Sequence, residues 1–173
     1  MKGIILYQSK YGATARYARW LSEATGFSIT ETKKAKLGDV KQYDTVVLGG
    51  GLYASGISGI SFLRKNAEEL KDKKIIVFCV GASPYSEEGL AEVKARNMKG
   101  ALSGVPCFYC RGAWDFEKMG TIDKTLCKML RKSVEKKPPE EHEPWEKALM
   151  EVGATSCDWT DRKHLEPILN ELN

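Results

Sequence analysis

The sequence predicts a doubly wound α/β domain: a five-stranded parallel sheet with helices on both faces. Two observations predict it. Short, nearly continuous apolar runs recur along the chain, as strands covered on both faces require. Patterns of helical period alternate with them, which argues for parallel strands joined by helical crossovers. Right-handed crossovers then leave few topologies, and no internal repeat is evident.

The first apolar run covers residues 2–7 and contains Ile4, Ile5, Leu6 and Tyr7. A polar turn at 8–14 follows. Ala15, Ala18, Leu21 and Ala24 then recur at spacings of three, as on one helix face, and Gly26 ends that pattern. Residues 27–32 alternate apolar and polar and read as a more exposed strand. A second buried run at 45–48 is closed by Gly49, Gly50 and Gly51. Residues 60–70 read as a helix carrying Phe62, Leu63, Ala67 and Leu70, and 74–80 form the third buried run. Ser86 is a suitable N-cap for a helix over 87–102, and 105–111 is the last strand.

The tail is less regular. Residues 122–134 form an amphipathic pattern, with Leu126, Met129 and Leu130 on one side and Lys124, Lys128, Arg131 and Lys132 elsewhere. Residues 135–143 contain Pro138 and Pro139 and read as a loop. A short helical turn is expected at 145–150. A final helix over 161–172 should close the sheet through Leu165, Ile168, Leu169 and Leu172. Pro167 within it would either kink it or delay its start.

The 173 residues fit one domain spanning 1–173. With 42% hydrophobic and 29% charged residues the composition is globular rather than disordered. The net charge of +4 is mild, and no dense Lys/Arg block marks a reading helix, so no nucleic-acid partner is expected. The excess leaves open a peripheral membrane contact through the basic helix at 124–137. No signal peptide or bilayer-spanning run is visible, so a cytoplasmic location is expected. Five cysteines, an odd number, argue against a disulfide framework. Cys107 and Cys110 have C-x-x-C spacing, but on a strand residues three apart point to opposite faces, so no joint role and no metal site is expected. His142 and His164 lie in polar surroundings and receive no catalytic role.

The informative segment is Tyr7-Gln8-Ser9-Lys10-Tyr11-Gly12-Ala13-Thr14, between a buried strand and a helix. A turn there offers backbone N–H groups and the positive end of the helix dipole to an anion. Ser9 and Thr14 add hydroxyls, and Gly12 lets the chain approach a phosphate. Neither a nucleoside-triphosphate loop nor a dinucleotide fingerprint is present. Two further loops follow buried strands. One covers 49–59, with glycines at 49, 50, 51, 56 and 59 to follow a flat ring and Tyr53 to stack on it. The other is Gly81 to Tyr85, with rigid Pro84. One loop for a phosphate monoester and two for a planar ring, at one sheet edge, describe a site for flavin mononucleotide (FMN).

With its YQSKYGATARYA opening, GGGLYASGISGISFLRK segment and GAWDFEKM segment, the chain resembles the flavodoxin superfamily. Within it, the chain resembles the branch that includes menaquinone-dependent protoporphyrinogen dehydrogenases. The resemblance implies a flavodoxin-like sheet and bound FMN. It places Ser9, Lys10, Tyr11, Gly12, Ala13 and Thr14 around the phosphate. Leu52, Tyr53 and Ala54 would lie on one side of the isoalloxazine, and Gly81, Ala82, Ser83 and Pro84 on the other. A Thr commonly stands at the position of Tyr11 in flavodoxins, so weaker FMN binding is expected. The branch implies a dehydrogenase taking electrons from a porphyrinogen or quinol and passing them to a quinone. The alternative is a carrier between protein partners; flavodoxin-type carriers are acidic, and this chain is not.

Overall fold

The computed structural model describes residues 2–153 and 155–173. The elements are β1 (Gly3–Gln8), α1 (Ala13–Thr25), β2 (Ser28–Glu31), α2 (Leu37–Val40), β3 (Thr45–Tyr53), β4 (Gly56–Ile57), α3 (Ile60–Lys65), β5 (Lys74–Gly81), α4 (Glu87–Asn97), β6 (Cys107–Arg111), β7 (Ala113–Asp115), α5 (Thr121–Val134), α6 (Pro144–Val152), β8 (Ser156–Asp158) and α7 (Glu166–Leu172). Five strands form the parallel sheet in the order β2-β1-β3-β5-β6, with β4 added antiparallel to β3. This is the doubly wound architecture expected from the alternating runs.

Side chains alternate between the two faces of the sheet. Ile4, Leu6, Val46, Leu48, Val77 and Cys79 pack with Leu63 of α3 and Val93 of α4. Ile5, Val47, Ile76, Phe78 and Val80 pack on the other face with Tyr17, Ala18 and Leu21 of α1 and Ile168 and Leu172 of α7. Cys107 and Cys110 fall on opposite faces, and all five cysteines are free. Tyr17 is fully buried. Its hydroxyl donates to the Arg111 carbonyl at 2.5 Å, accepts from Asp161 N–H at 3.1 Å and lies 2.7 Å from His164 Nδ1. His164, expected in polar surroundings, is thus held against the core by that hydroxyl.

Several boundaries differ from the expected ones for identifiable reasons. The helix expected over 60–70 is α-helical only to Lys65, because Asn66 turns its side chain back onto the Phe62 carbonyl at 2.8 Å. The helix expected over 87–102 ends at Asn97, whose buried amide is committed to three backbone groups. Pro167 occupies the first turn of α7 and delays its start to Glu166, after a short 3-10 turn capped by Asp161. The strands β7 and β8 pair antiparallel in a small separate sheet that no local pattern announced. Arg16 of α1 ties that sheet down by contacting Asp158 at 2.5 Å and Thr160 at 2.7 Å. Burial would raise the Asp158 carboxyl, but the bonds from Thr160 and Arg16 outweigh it and hold the group at about 2.

The largest correction concerns the glycine triplet. Gly49, Gly50 and Gly51 lie within β3, buried and paired with Phe78, Cys79 and Val80 of β5. They are small because neighbours crowd both sides. A Cβ at Gly49 would lie 2.1 Å from the Phe78 ring, and one at Gly50 would lie 2.2 Å from the Ser58 carbonyl oxygen. Gly49→Ala should therefore destabilise the protein by about 1–3 kcal/mol through overpacking. Gly38→Ala, at an open position, should leave the unfolding free energy from urea denaturation within about 1 kcal/mol of wild type, with little shift in the midpoint. Equal midpoints for the two variants would contradict the packing account.

Candidate functional site

The site lies where β1, β3, β5 and β6 end. The turn after β1 is braced internally: Gly12 N–H donates to Ser9 Oγ at 3.1 Å. Gly12 itself has φ +100, a left-handed conformation that suits glycine, and nothing lies within 4 Å of a Cβ built there. It precedes α1 with no side-chain cap, and no acid occupies the first turn. The N–H groups of Ala13, Thr14 and Ala15 therefore have no intrahelical partner. Thr14 is buried at 3% exposure. Its Oγ1 is 3.5 Å from where a side chain at Gly51 would begin, which places it between this turn and the end of β3.

The second loop is a tight hairpin rather than a long glycine loop. Leu52 pairs with Ile57 and Tyr53 with Gly56, and Ala54 and Ser55 form the two-residue turn at φ +46 and +60. Two positive φ values are the signature of a turn matched to strand twist, normally met by Asn or Gly. Here Asn97 holds the strained turn in place. Its Oδ1 accepts from Ile57 N–H at 3.0 Å, and its Nδ2 donates to the carbonyls of Ser55 at 2.6 Å and Val93 at 2.8 Å. Nothing in the sequence singled out Asn97, because its partners in the turn, Ser55 and Ile57, lie about forty residues away.

The third loop, Ala82 to Pro84, is fixed by β6. The Tyr109 hydroxyl donates to the Ser83 carbonyl at 2.5 Å, and Arg111 Nε donates to the Ala82 carbonyl at 3.2 Å. Gly112 N–H donates to the Gly81 carbonyl at 2.7 Å. The three loops meet one another. Thr14 Oγ1 is 3.5 Å from the position a Cβ would take at Gly51 and Lys10 Nζ is 5.6 Å from the Tyr53 ring centroid, Leu52 Cδ1 is 3.2 Å from the Cβ position at Gly81, and Ala13 Cβ is 3.4 Å from that at Gly112, which bonds Gly81. Of the residues assigned from the sequence, Ser9 to Thr14, Leu52, Tyr53, Gly81, Ala82 and Ser83 are thus joined by these contacts. Ala54 and Pro84 sit at exposed tips.

The tail adds a component the sequence did not reveal. Asp123, in the first turn of α5, accepts hydrogen bonds from Lys10 Nζ at 2.5 Å and from the Tyr11 hydroxyl. These bonds, from Lys10 first and Tyr11 second, hold the Asp123 carboxyl below the usual range. Lys10 Nζ also lies 5.6 Å from the Tyr53 ring centroid and 5.4 Å from that of Tyr11, within reach of a cation–π attraction. Trp114 and Phe116 pack within the tail: Trp114 Nε1 donates to the Gly153 carbonyl at 3.3 Å, and Lys124 sits over the Phe116 ring.

An anion-ready helix terminus flanked by two loops at the carboxyl edge of a five-stranded, doubly wound sheet defines the flavodoxin class. Residues 4–141 match the Flavodoxin domain family, and the chain belongs to that family. Among solved structures it is similar to a flavodoxin, WrbA-like protein from Agrobacterium tumefaciens, with 15% identity over 70% of this chain and 87% of that one, and a TM-score of 0.50. It is also similar to two-electron reduced Megasphaera elsdenii flavodoxin, with 18% identity over 62% of this chain and 82% of that one, and a TM-score of 0.47. A flavodoxin mutant from Fusobacterium nucleatum bound to flavin mononucleotide has 13% identity over 68% of this chain and 72% of that one, with a TM-score of 0.39. No curated protein matches the sequence.

Tyr53 reports on this site directly. Burial pushes its phenol up to about 12, against a smaller downward pull from Lys10. Its phenolate is disfavoured in the fold, so its contribution to stability is complete below its ordinary value near 10 and is lost as pH rises through about 12. Ultraviolet difference titration of wild type against Tyr53→Phe should isolate one phenol with a midpoint near 12. A midpoint near 10 would contradict the partial burial of this ring, which is 43% exposed.

Proposed function

We propose that this chain binds one FMN across its three loops and acts as an FMN-dependent oxidoreductase. In this reading it takes electrons from an organic substrate of the porphyrinogen or quinol class and passes them to a quinone. The observation that carries the cofactor is the start of α1: an uncapped helix terminus, free of acids, behind a glycine whose conformation leaves the space in front open. A terminal phosphate monoester is the group such a turn takes, which favours FMN over a dinucleotide. Family membership supports the same reading.

The residues divide the work. Ser9 fixes the turn by accepting from Gly12 N–H, and Thr14 offers a hydroxyl beside the free N–H groups of the first helical turn. Lys10 supplies positive charge at the phosphate end. Tyr11, whose hydroxyl is committed to Asp123, acts as a brace and not as a phosphate donor. Leu52 and Tyr53 on one side and Gly81 to Ser83 on the other form the walls for a ring, with Tyr109 and Arg111 holding the second wall rigid. The flavin, when bound, supplies the electron transfer itself, and these residues position it and limit water.

The dehydrogenase part of the proposal is supported by the resemblance of segments 7–18, 49–65 and 112–119 to that branch. It is also supported by the long excursion at 113–160, which packs back onto the phosphate turn through Asp123. Stopped-flow reoxidation of the anaerobically reduced, FMN-loaded protein tests it. Reoxidation by a soluble quinone analogue should outpace reoxidation by cytochrome c. The reverse order would make the protein a carrier between protein partners.

A further inference from the structure

The amphipathic helix of the tail is turned the opposite way from a core helix. The side of α5 that faces the protein carries Val134, which is buried, and Asp123 and Cys127, which are partly buried. The apolar stripe points to solvent: Ile122 is 76% exposed, Leu126 52%, Met129 63% and Leu130 48%. These positions stand at i, i+4, i+7 and i+8, one continuous stripe along the helix. At 100° per residue Lys132 lies about 60° beyond the Met129 edge of the stripe, and Lys128, one turn earlier, lies about 100° beyond it on the same side. Four large apolar side chains left outward on one helix mark a surface that something covers.

The charges decide what covers it. The acids of α5 and its C-cap are already neutralised: Asp123 by Lys10 and Glu135 by Arg131. Lys128, Lys132 and Lys136 are in no ion pair among the described residues. A second copy placed stripe to stripe would bring these lysines toward their own equivalents, which is unfavourable. An anionic bilayer surface satisfies both halves. The headgroup boundary accepts the apolar stripe, and the phosphates meet lysines whose long stems can reach outward from it.

We propose that the outer face of α5 docks this protein on an anionic lipid surface, with Ile122, Leu126, Met129 and Leu130 entering the headgroup boundary and Lys128 and Lys132 bound to lipid phosphates. The docking uses no flavin and is independent of the cofactor reading. It sets the phosphate turn beside the membrane, because Asp123 at the start of the same helix holds Lys10 and Tyr11.

Vesicle co-sedimentation of the full chain tests this without flavin. Wild type should pellet with vesicles of phosphatidylcholine and phosphatidylglycerol in equal parts, stay in the supernatant with phosphatidylcholine alone, and be released by salt. Leu126→Ser combined with Met129→Ser should weaken partitioning about tenfold or more. Lys128→Gln combined with Lys132→Gln should weaken it about fivefold per lysine. The altered side chains are exposed, so both double variants should keep the wild-type thermal midpoint. The proposal is overturned if wild type ignores anionic vesicles, binds both vesicle types alike, or loses nothing in either variant. It is equally overturned if sedimentation velocity finds a dimer that Leu126→Ser with Met129→Ser dissociates, which would assign the stripe to a second copy.

Discussion

The register of the parallel strands β1, β3, β5 and β6 is the constraint on which the rest of the structure depends. Gln8 pairs with Gly50, Gly50 with Cys79 and Cys79 with Tyr109. The carboxyl ends of β1, β3, β5 and β6 therefore fall along one edge of the sheet, β3 running furthest, and the three loops leave there. A slip of one residue would exchange the faces of a whole strand. A slip in one direction would also move Phe78 from opposite Gly49 to opposite Leu48. The apolar alternation and the glycine clearance thus enforce the same alignment, and the loops meet because of it.

The tail reinforces this edge at a cost. Asp123 immobilises Lys10 and Tyr11, which orders a turn that would otherwise lose conformational entropy on binding an anion. The same carboxylate places negative charge near the position proposed for a phosphate and engages the lysine that would attract it. The balance favours order over raw attraction. That agrees with an α1 terminus that meets an anion through backbone N–H groups, which no side chain can withdraw. The small β7–β8 sheet, held to α1 by Arg16 and Asp158, anchors the far end of the same excursion.

Much of this was legible in the sequence. The buried strands announced themselves as apolar runs, and residues 7–14 announced a strand-turn-helix junction, because both signals are local. What failed to show was long-range or steric. Gly49 and Gly50 read as loop flexibility, but their role is clearance for Phe78 and for the backbone at Ser58. Asn97 and Asp123 act on partners distant in sequence, so no window of the sequence contains their role. The helix at 121–134 showed its stripe plainly, but periodicity alone cannot say whether a stripe faces the core or the solvent.

The central claim is that the first turn of α1 receives the phosphate of FMN. Fluorescence-quench titration of flavin-free protein with FMN, riboflavin and FAD tests it most directly. FMN should bind one to one, and riboflavin, which lacks the phosphate, should bind at least about tenfold more weakly, as loss of hydrogen bonds to a charged group requires. FAD should also bind more weakly than FMN. Gly12→Val should bring the FMN affinity down toward that of riboflavin. Equal affinities for FMN and riboflavin, or a preference for FAD, would contradict the account.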